Sequence, residues 1–400
     1  MRILTISNVV PYPPHSGLQL RTLHLLERVA RVHTVTLCCH AWSATDEANA
    51  RELTNRGIRT FTGHLGHQID LSKIVAAARL LITGRPPELA LYRSPELARI
   101  VRELVRDEPF DILQIEESIL AHYADLLPAR SRTSKLLIFH DLHSVQAARA
   151  AGLEHALGMR MWRHLNGFCM RFYEPRIVRR FEKCVTVTEH DRQLLLAAGS
   201  LPNIDVVPNG VDTVELQPLA AADSPPAILF VGSMFYKPCE DGAIWLVREV
   251  LPLVRREFPA IDVWIVGKRP GPRVQQLAAE HVFVTGEVED VTSYYQRATI
   301  ALAPLRAGSG SRLKILEAMA LGRPVVSTSI GAEGLHLEPE RHLLVADSAR
   351  DFAAAVVRLI KSPDVRRSLA EAAREFVEAR YNWEMIAARQ LQIYQEMTAT

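Results

Sequence analysis

Nowhere do the 400 residues contain eighteen successive apolar side chains, the length a helix needs to span the hydrocarbon of a bilayer. The run Ile74 to Ile82 is short and carries Arg79. Cysteine is scarce: Cys38, Cys39, Cys169, Cys184 and Cys239 make an odd number with no CxxC pair. A disulfide framework and a thiolate zinc site are therefore not indicated, and a reducing cytosol fits best. The net charge of +2 excludes a strongly polyanion-directed protein, though not a local basic face. There is no DxD carboxylate pair to call for a divalent metal, no GxGxxG dinucleotide fingerprint, and no internal repeat at a solenoid period. The apolar run Ile3 to Val10 is broken by Thr5, Ser7 and Asn8 and followed by PYPP, which suits a first strand better than a signal peptide.

What the chain does have is apolar content, 48%, enough for two cores and hence two domains. Short β-type runs alternate with amphipathic helices, the pattern of parallel sheets covered on both faces. Expected strands are Ile3–Ser7, Thr34–Cys38, Ile58–Phe61, Ile112–Ile115, Leu136–Phe139, Cys184–Val187 and Ile204–Val207, then Ile228–Val231, Val263–Val266, Val282–Val284, Thr299–Leu302, Val325–Ser327 and Leu343–Val345. One helix is well marked: Ser94 caps it, Pro95 occupies its first turn, and Leu97, Ile100, Val101, Leu104 and Val105 form its apolar stripe. Gln217 to Ala227 is rich in proline and alanine without periodicity and reads as a linker. The expected division is 1–216, 217–380 and a final helix in 381–400. In open α/β folds ligands bind at the carboxyl edges of the strands, and a cleft where two such edges face each other is the expected site.

The segment Pro304 to Thr328, PLRAGSGSRLKILEAMALGRPVVST, reads as one recognition unit. A strand ends at Pro304; Gly308 and Gly310 let backbone approach a ligand; Leu313, Leu316, Ala320 and Leu321 then repeat at helical spacing. The first-turn amides of Ser311, Arg312 and Leu313 lack intrahelical partners and favour an anion, with Arg312 and Lys314 adding full charges. Glu317, one turn further, is a carboxylate suited to two ribose hydroxyls. A plain strand, turn and helix with a buried alanine-rich face remains the alternative on pattern alone.

In its wording this segment resembles the donor-binding motif of retaining nucleotide-sugar glycosyltransferases of the GT-B fold, glycosyltransferase family 4. The opening MRILTISNVVPYPPHSGLQLRTLHLLERVA, VTVTEHDRQLL with VVPNGVD, and ILFVGSMFYKPCEDG resemble further family segments in the family's order. The resemblance implies two Rossmann-like parallel-sheet domains, the last helix crossing back to the first. It implies Glu317 as the ribose ligand, the second glutamate of an E-x7-E pattern whose first position is Ser309 here. Gly232, Ser233 and Lys237 fall in the loop that neutralises the diphosphate; Ser233 stands where arginine is common, leaving Lys237 foremost with Lys314 and Arg312 as helpers. With the amides of Ser309, Gly310, Ser311 and Leu313 these form the expected donor site.

In the first half, KLLIFHDLHSVQ places two histidines at a strand end. His143 matches a DxHN-type family histidine with Ser144 replacing asparagine, and in relatives it lies against the donor; His140 is the alternative match. HxxH without a nearby third ligand does not make a metal pair. Gly17 resembles the first glycine of the amino-terminal phosphate loop, Leu18 replacing the second. Arg21 is placed toward phosphate or acceptor, or on a solvated helix face. Glu116 stands at the edge facing an acceptor, or is a solvated strand terminus. Ala148 to Lys183 has eight Arg and Lys against three Glu, interleaved with Trp162, Phe168, Phe172, Tyr173 and Phe181, and reads either as a basic amphipathic region for anionic membrane or as an ordinary helix pair with a solvated basic face. No nucleic-acid module accompanies it.

Together these imply a cytoplasmic enzyme, peripheral at the inner membrane face, that moves a sugar from a nucleotide diphosphate donor to an acceptor hydroxyl with retention. The implied acceptor is a lipid-linked or other envelope or exopolysaccharide glycan, with no cofactor. A nucleotide-sugar 2-epimerase shares the fold, but Ser309 supplies no carboxylate for its chemistry. A non-catalytic nucleotide-sugar-binding protein is the rival of another class.

Overall fold

The computed structural model describes all residues except 67–69, 155, 200, 202, 221–224, 309–311 and 400. The chain divides into two compact units, Met1–Pro208 with Trp383–Thr400, and Asn209–Asn382.

In the first unit β1 (Arg2–Ser7), β2 (Thr34–Ala41), β3 (Arg59–His64), β4 (Ile112–Glu116), β5 (Ser134–Phe139), β6 (Lys183–Thr186) and β7 (Ile204–Val206) form an all-parallel sheet of order β3-β2-β1-β4-β5-β6-β7. Its strands are apolar on both faces because each face carries its own core. The period-2 alternation divides β1: Leu4 and Ile6 enter one cluster and Ile3 the other. Leu137 and Phe139 of β5 likewise face opposite to Leu136 and Ile138. The second cluster contains Leu23, Leu26 and Val29 of the Gly17–Ala30 helix together with Trp383, Ile386, Tyr394 and Met397 of the Trp383–Thr398 helix. The last helix is thus part of the first unit's core. Polar groups fix it too: Tyr394 Oη donates to Gln114 Oε1 on β4 at 2.5 Å.

The second unit holds β8 (Ala227–Val231), β9 (Asp262–Val266), β10 (Val282–Gly286), β11 (Ile300–Ala303), β12 (Val325–Ser327) and β13 (Leu344–Val345), again all parallel, in the order β10-β9-β8-β11-β12-β13. Strand order reverses between β1 and β4 in one sheet and between β8 and β11 in the other. These are the positions where a doubly wound sheet opens a crevice at its carboxyl edge.

The units meet in the chain at Pro208/Asn209 rather than at 216/217, and the chain re-enters the first unit at Trp383 rather than 381. Hydrogen bonds explain the shift. Val211 N donates to Tyr381 O at 2.7 Å. The buried guanidinium of Arg374, from the Pro363–Arg380 helix, donates to the carbonyls of Thr213 (2.8 Å), Leu216 (2.5 Å) and Ala320 (2.5 Å). Residues 211–216 are therefore structural parts of the second unit.

The Leu71–Ile82 helix is an element that the apolar run Ile74 to Ile82 did not reveal as such. Asp70 caps it, accepting from Lys73 N, yet only Leu80 is buried. Ala76 and Ala77 pack against the core, while Leu71, Ile74, Val75, Leu81 and Ile82 face outward.

Replacing Arg374 by Met should strip three carbonyls of a charged donor and cost about 2–4 kcal/mol. Urea denaturation measures this, and an unchanged midpoint would mean that segment 213–216 is held by something else.

Candidate functional site

In the second unit, the carboxyl ends of β8 and β9 press together. Gly267 has φ +150°, and a Cβ there would lie 1.7 Å from Gly232 O, so only glycine lets these exits converge. Across the switch point the Leu313–Ala320 helix starts after Gly308, itself at φ +114°. Lys314 on its first turn reaches back over β8. Its ammonium sits 4.8 Å from the Phe230 ring centroid and 3.5 Å from Cys239 Sγ, and a Cβ on Gly232 would come within 2.7 Å of it. A Cβ on Gly308 would meet the Arg312 guanidinium at 3.1 Å and Tyr236 Oη at 3.3 Å. Gly232, Gly308, Arg312 and Lys314 are therefore brought together, with Tyr236 and Cys239 as neighbours that sequence reasoning missed. Residues Ser309, Gly310 and Ser311 lie outside the described residues.

Glu317 stands one turn behind Lys314 and is half-buried. Burial raises its carboxyl pKa above the ordinary value, with Lys314 partly opposing. Among the described residues no side chain or backbone donor reaches that carboxylate. Lys237 has a different position: its ammonium is 3.3 Å from both carboxylate oxygens of Glu240, which also pairs with Arg273 at 3.0 Å. Ser233 contributes its carbonyl to Tyr236 N at 3.0 Å, and Leu313 opens the helix.

In the first unit, Glu116 ends β4 and His140 follows β5. Glu116 is buried rather than a solvated terminus: Oε2 lies 2.6 Å from His140 Nε2, and Oε1 accepts from Gln114 Nε2 at 2.5 Å. His140 Nδ1 is buried with no hydrogen-bond partner among the described residues. Arg21 is also buried, so it does not stand on a solvated helix face. Its Nη1 donates to Pro208 O at 2.6 Å, and its pKa falls to about 10 through burial, opposed by the charge of Glu116. The stripe Arg21, Thr22, Leu25, Leu26, Val29 is the helix's inward face. Gly17 is exposed at the first position of that helix, after the capping Ser16.

His143 turns elsewhere. Glu117 holds φ +85°, uncommon without glycine, and its Oε1 lies 3.7 Å from His143 Nε2. The buried Glu174, from the Leu157–Val178 helix, accepts from His143 N at 2.7 Å and from Ser144 Oγ at 2.5 Å. Burial alone would lower the imidazolium pKa, but the nearby Glu117 carboxylate, with charge from Glu88 and Glu174, raises it to about 9. Burial pushes Glu174 up to about 7 against those same bonds. Among the described residues no group of three or more His, Cys, Asp and Glu is arranged to hold a metal ion.

The basic region resolves into the His143–Gly152 and Leu157–Val178 helices. Its outer face is apolar as well as basic: Leu157, Met161, Leu165, Phe168 and Phe172 are exposed, with Arg160, His164 and Arg171 among them. The Leu71–Ile82 helix adds exposed Leu71, Ile74, Val75, Leu81 and Ile82. A 3-10 turn at Pro87–Tyr92 packs against that helix and is hydrogen-bonded to the other through Glu88 and Asn166. No helix among the described residues is long and apolar enough to cross a membrane.

Comparison with known proteins agrees with this architecture. The Glycosyltransferase Family 4 profile matches residues 15–215, half of the chain, and that of Glycosyl transferases group 1 matches residues 225–362. The protein belongs to glycosyltransferase family 4 and has the GT-B fold. It is 24% identical over 315 residues, 76% of each chain, to a phosphatidyl-myo-inositol mannosyltransferase of Mycolicibacterium smegmatis. It is 29% identical over 164 residues to a 44.6 kDa protein of the Klebsiella pneumoniae cps region, spanning 39% of this chain and 42% of that one. Among solved structures, sucrose-phosphate synthase of Thermosynechococcus elongatus superposes with TM-score 0.75 at 19% identity over both whole chains. Anabaena HepE in complex with UDP and glucose gives 0.69 at 13%, covering 99% of this chain and 100% of that one.

The acidic cluster sets a pH dependence. His143 keeps its proton to about pH 9 when folded but only to 6.5 in its ordinary state, so the folded form binds more protons across that window. Its contribution is complete below pH 6.5 and is lost as pH rises through 9; Glu174 acts with the same sign at lower pH. Unfolding free energy should fall by up to about 3 kcal/mol between those limits, and His143→Gln should flatten the slope. Denaturant titrations at several pH values measure this; a flat wild-type profile, or a slope that survives the substitution, would contradict the assignment.

Proposed function

We propose that the protein transfers a sugar from a nucleotide diphosphate donor to a hydroxyl of a lipid-linked acceptor, with retention, in envelope or exopolysaccharide glycan synthesis. One observation carries this: in the second unit's switch point the half-buried carboxylate of Glu317, reached by no donor among the described residues, stands one turn from the Lys314 ammonium. A vicinal diol is the group that satisfies such a carboxylate, and a diphosphate is the group that matches Lys314, Arg312 and the helix amino end. HepE, a structural neighbour, was solved with UDP and glucose bound, which supports a donor of this class, and the family resemblance supports retention.

Lys314 leads the stabilisation of the leaving diphosphate in this reading, and Lys237, held by Glu240, is released to it only on donor binding. Gly232, Ser233 and Leu313 supply close backbone approach on the second unit. Of the two histidines, His140 is our choice for contact with the reacting sugar, because Glu116 orients its ring and its Nδ1 is left available. Glu116 acts behind it and His143 stays a structural ion pair. Positive charge from protein groups replaces a divalent metal.

The first unit's exposed apolar and arginine-bearing helices support an acceptor at an anionic membrane, and the mycobacterial relatives named for a phosphatidylinositol substrate are consistent with it. Arginines near such a surface add about 1 kcal/mol each, and apolar side chains inserted between headgroups add burial that salt does not screen. The inner face of the cell membrane is the proposed location.

Glu317→Gln should weaken both donor and free nucleoside diphosphate about ten- to hundredfold, since the ribose contact is common to both. Unchanged calorimetric affinity would place the ribose elsewhere, and product analysis separates transfer from donor epimerisation or binding alone. Transfer should survive exhaustive chelation; loss with EDTA and recovery with magnesium or manganese would sink the metal-free reading. Vesicle sedimentation should favour anionic over neutral lipid and weaken in Phe168→Asp, whereas equal sedimentation would leave only a solvated face.

A further inference from the structure

A recess opens on the first unit where the 3-10 turn meets the two helices of the basic region, with a volume of about 190 Å³. That is about six waters' share of liquid volume and below the usual range for drug-sized ligands. One small ring fits; a nucleotide does not. Its wall carries Glu88, His143, Gln146, Trp162, Arg163 and Asn166. His143 Nε2 and Arg163 Nε are buried there without a hydrogen-bond partner among the described residues, although His143 is 8% exposed. Both stand at ion-pair distance from a carboxylate rather than in a hydrogen bond, so each N–H can be shared with an acceptor oxygen entering the recess.

The charges around the recess are already matched. His143 faces Glu117 at 3.7 Å, Arg163 faces Glu154 at 3.5 Å, and Asn166 binds Glu88. The hydrogen-bonding capacity therefore exceeds the net charge, which favours neutral hydroxyls over a phosphate. A carboxylate accepts from hydroxyls, the amides do both, and the N–H groups of His143 and Arg163 donate. Trp162, 38% exposed, offers an apolar face for the C–H side of a ring. We propose that this recess is the subsite for a hydroxyl-rich ring, a sugar or cyclitol, borne by the acceptor. The assignment rests on the acceptor reading above. It adds where on the first unit the ring is recognised, beside the exposed apolar stripe that would meet lipid.

The test uses the full chain. Saturation-transfer NMR with myo-inositol and methyl α-glucoside should detect binding, and Trp162→Ala and Gln146→Leu should each weaken it about tenfold or more while calorimetric affinity for UDP or GDP stays unchanged. Both side chains lie at the surface of the recess, so each variant should fold. No ring binding, or equal binding in both variants, would overturn the subsite. Vesicles distinguish the source: a preference for phosphatidylinositol over phosphatidylserine that Trp162→Ala removes identifies a lipid headgroup, and free-ring binding without that preference identifies a soluble acceptor. Nucleotide binding without ring binding defeats the subsite alone. Ring binding without nucleotide binding defeats the glycosyltransferase reading instead.

Discussion

A carboxylate buried at the amino end of a helix organises the ligand-facing half of the first unit. Glu174 crosses from one helix to cap the next, taking the His143 amide and the Ser144 hydroxyl. A helix start there has no side chain of its own to serve, since Leu142 precedes it. The cap has a cost: burial raises the Glu174 pKa to about 7, so part of its charge is given up near neutrality. His143 and Ser144 are held in return, and the two helices are locked with Gly167 against Ala147. Once their inner faces are fixed in this way, the Leu157 to Phe172 stripe has nowhere to turn but outward.

The second unit depends on a different contact, the absence of a side chain at Gly267. Because the Gly232 carbonyl comes so near, β8 and β9 end side by side, and the loop after β8 folds back over Cys239. That leaves room for the Lys314 ammonium over Phe230. Helix dipole and full charge then converge on one spot, while Glu317 one turn back is half-buried and gains no donor among the described residues.

Much of this was legible in the chain. Continuous apolar runs marked strands because both faces of each sheet are covered, and Ser94 with Pro95 marked a helix that starts where they predict. The inward face of the Gly17–Ala30 helix was also there to be read: Arg21, Leu25 and Val29 are spaced four apart, which places Arg21 with the core. KPCE likewise spaces Lys237 and Glu240 three apart, within reach on one helical turn. Other features are tertiary. No local pattern tells that Lys314 reaches across to another strand, that Glu116 finds His140, or that Arg374 draws residues 213–216 into the second unit. The Leu71–Ile82 helix escaped for a physical reason, since an apolar stripe normally signals burial and this one is exposed.

The two carboxyl edges follow opposite electrostatic plans, and the difference assigns the ligand parts. The first unit's edge gathers Glu88, Glu116, Glu117 and Glu174, each already bonded to an imidazole, amide or hydroxyl. A second anion there would meet repulsion at low dielectric, so the edge suits neutral hydroxyls that exchange bonds without adding charge. The second unit's edge presents Lys314 and Arg312 beside the carboxylate of Glu317, while Glu240 is already paired with Lys237 and Arg273, and Ser309 brings no carboxylate. In the proposed reaction, negative charge developing on a departing diphosphate would meet that local positive charge. A glutamate at position 309 would have opposed it. On the proposed reading, the catalytic burden therefore falls on Lys314 and the helix amino end.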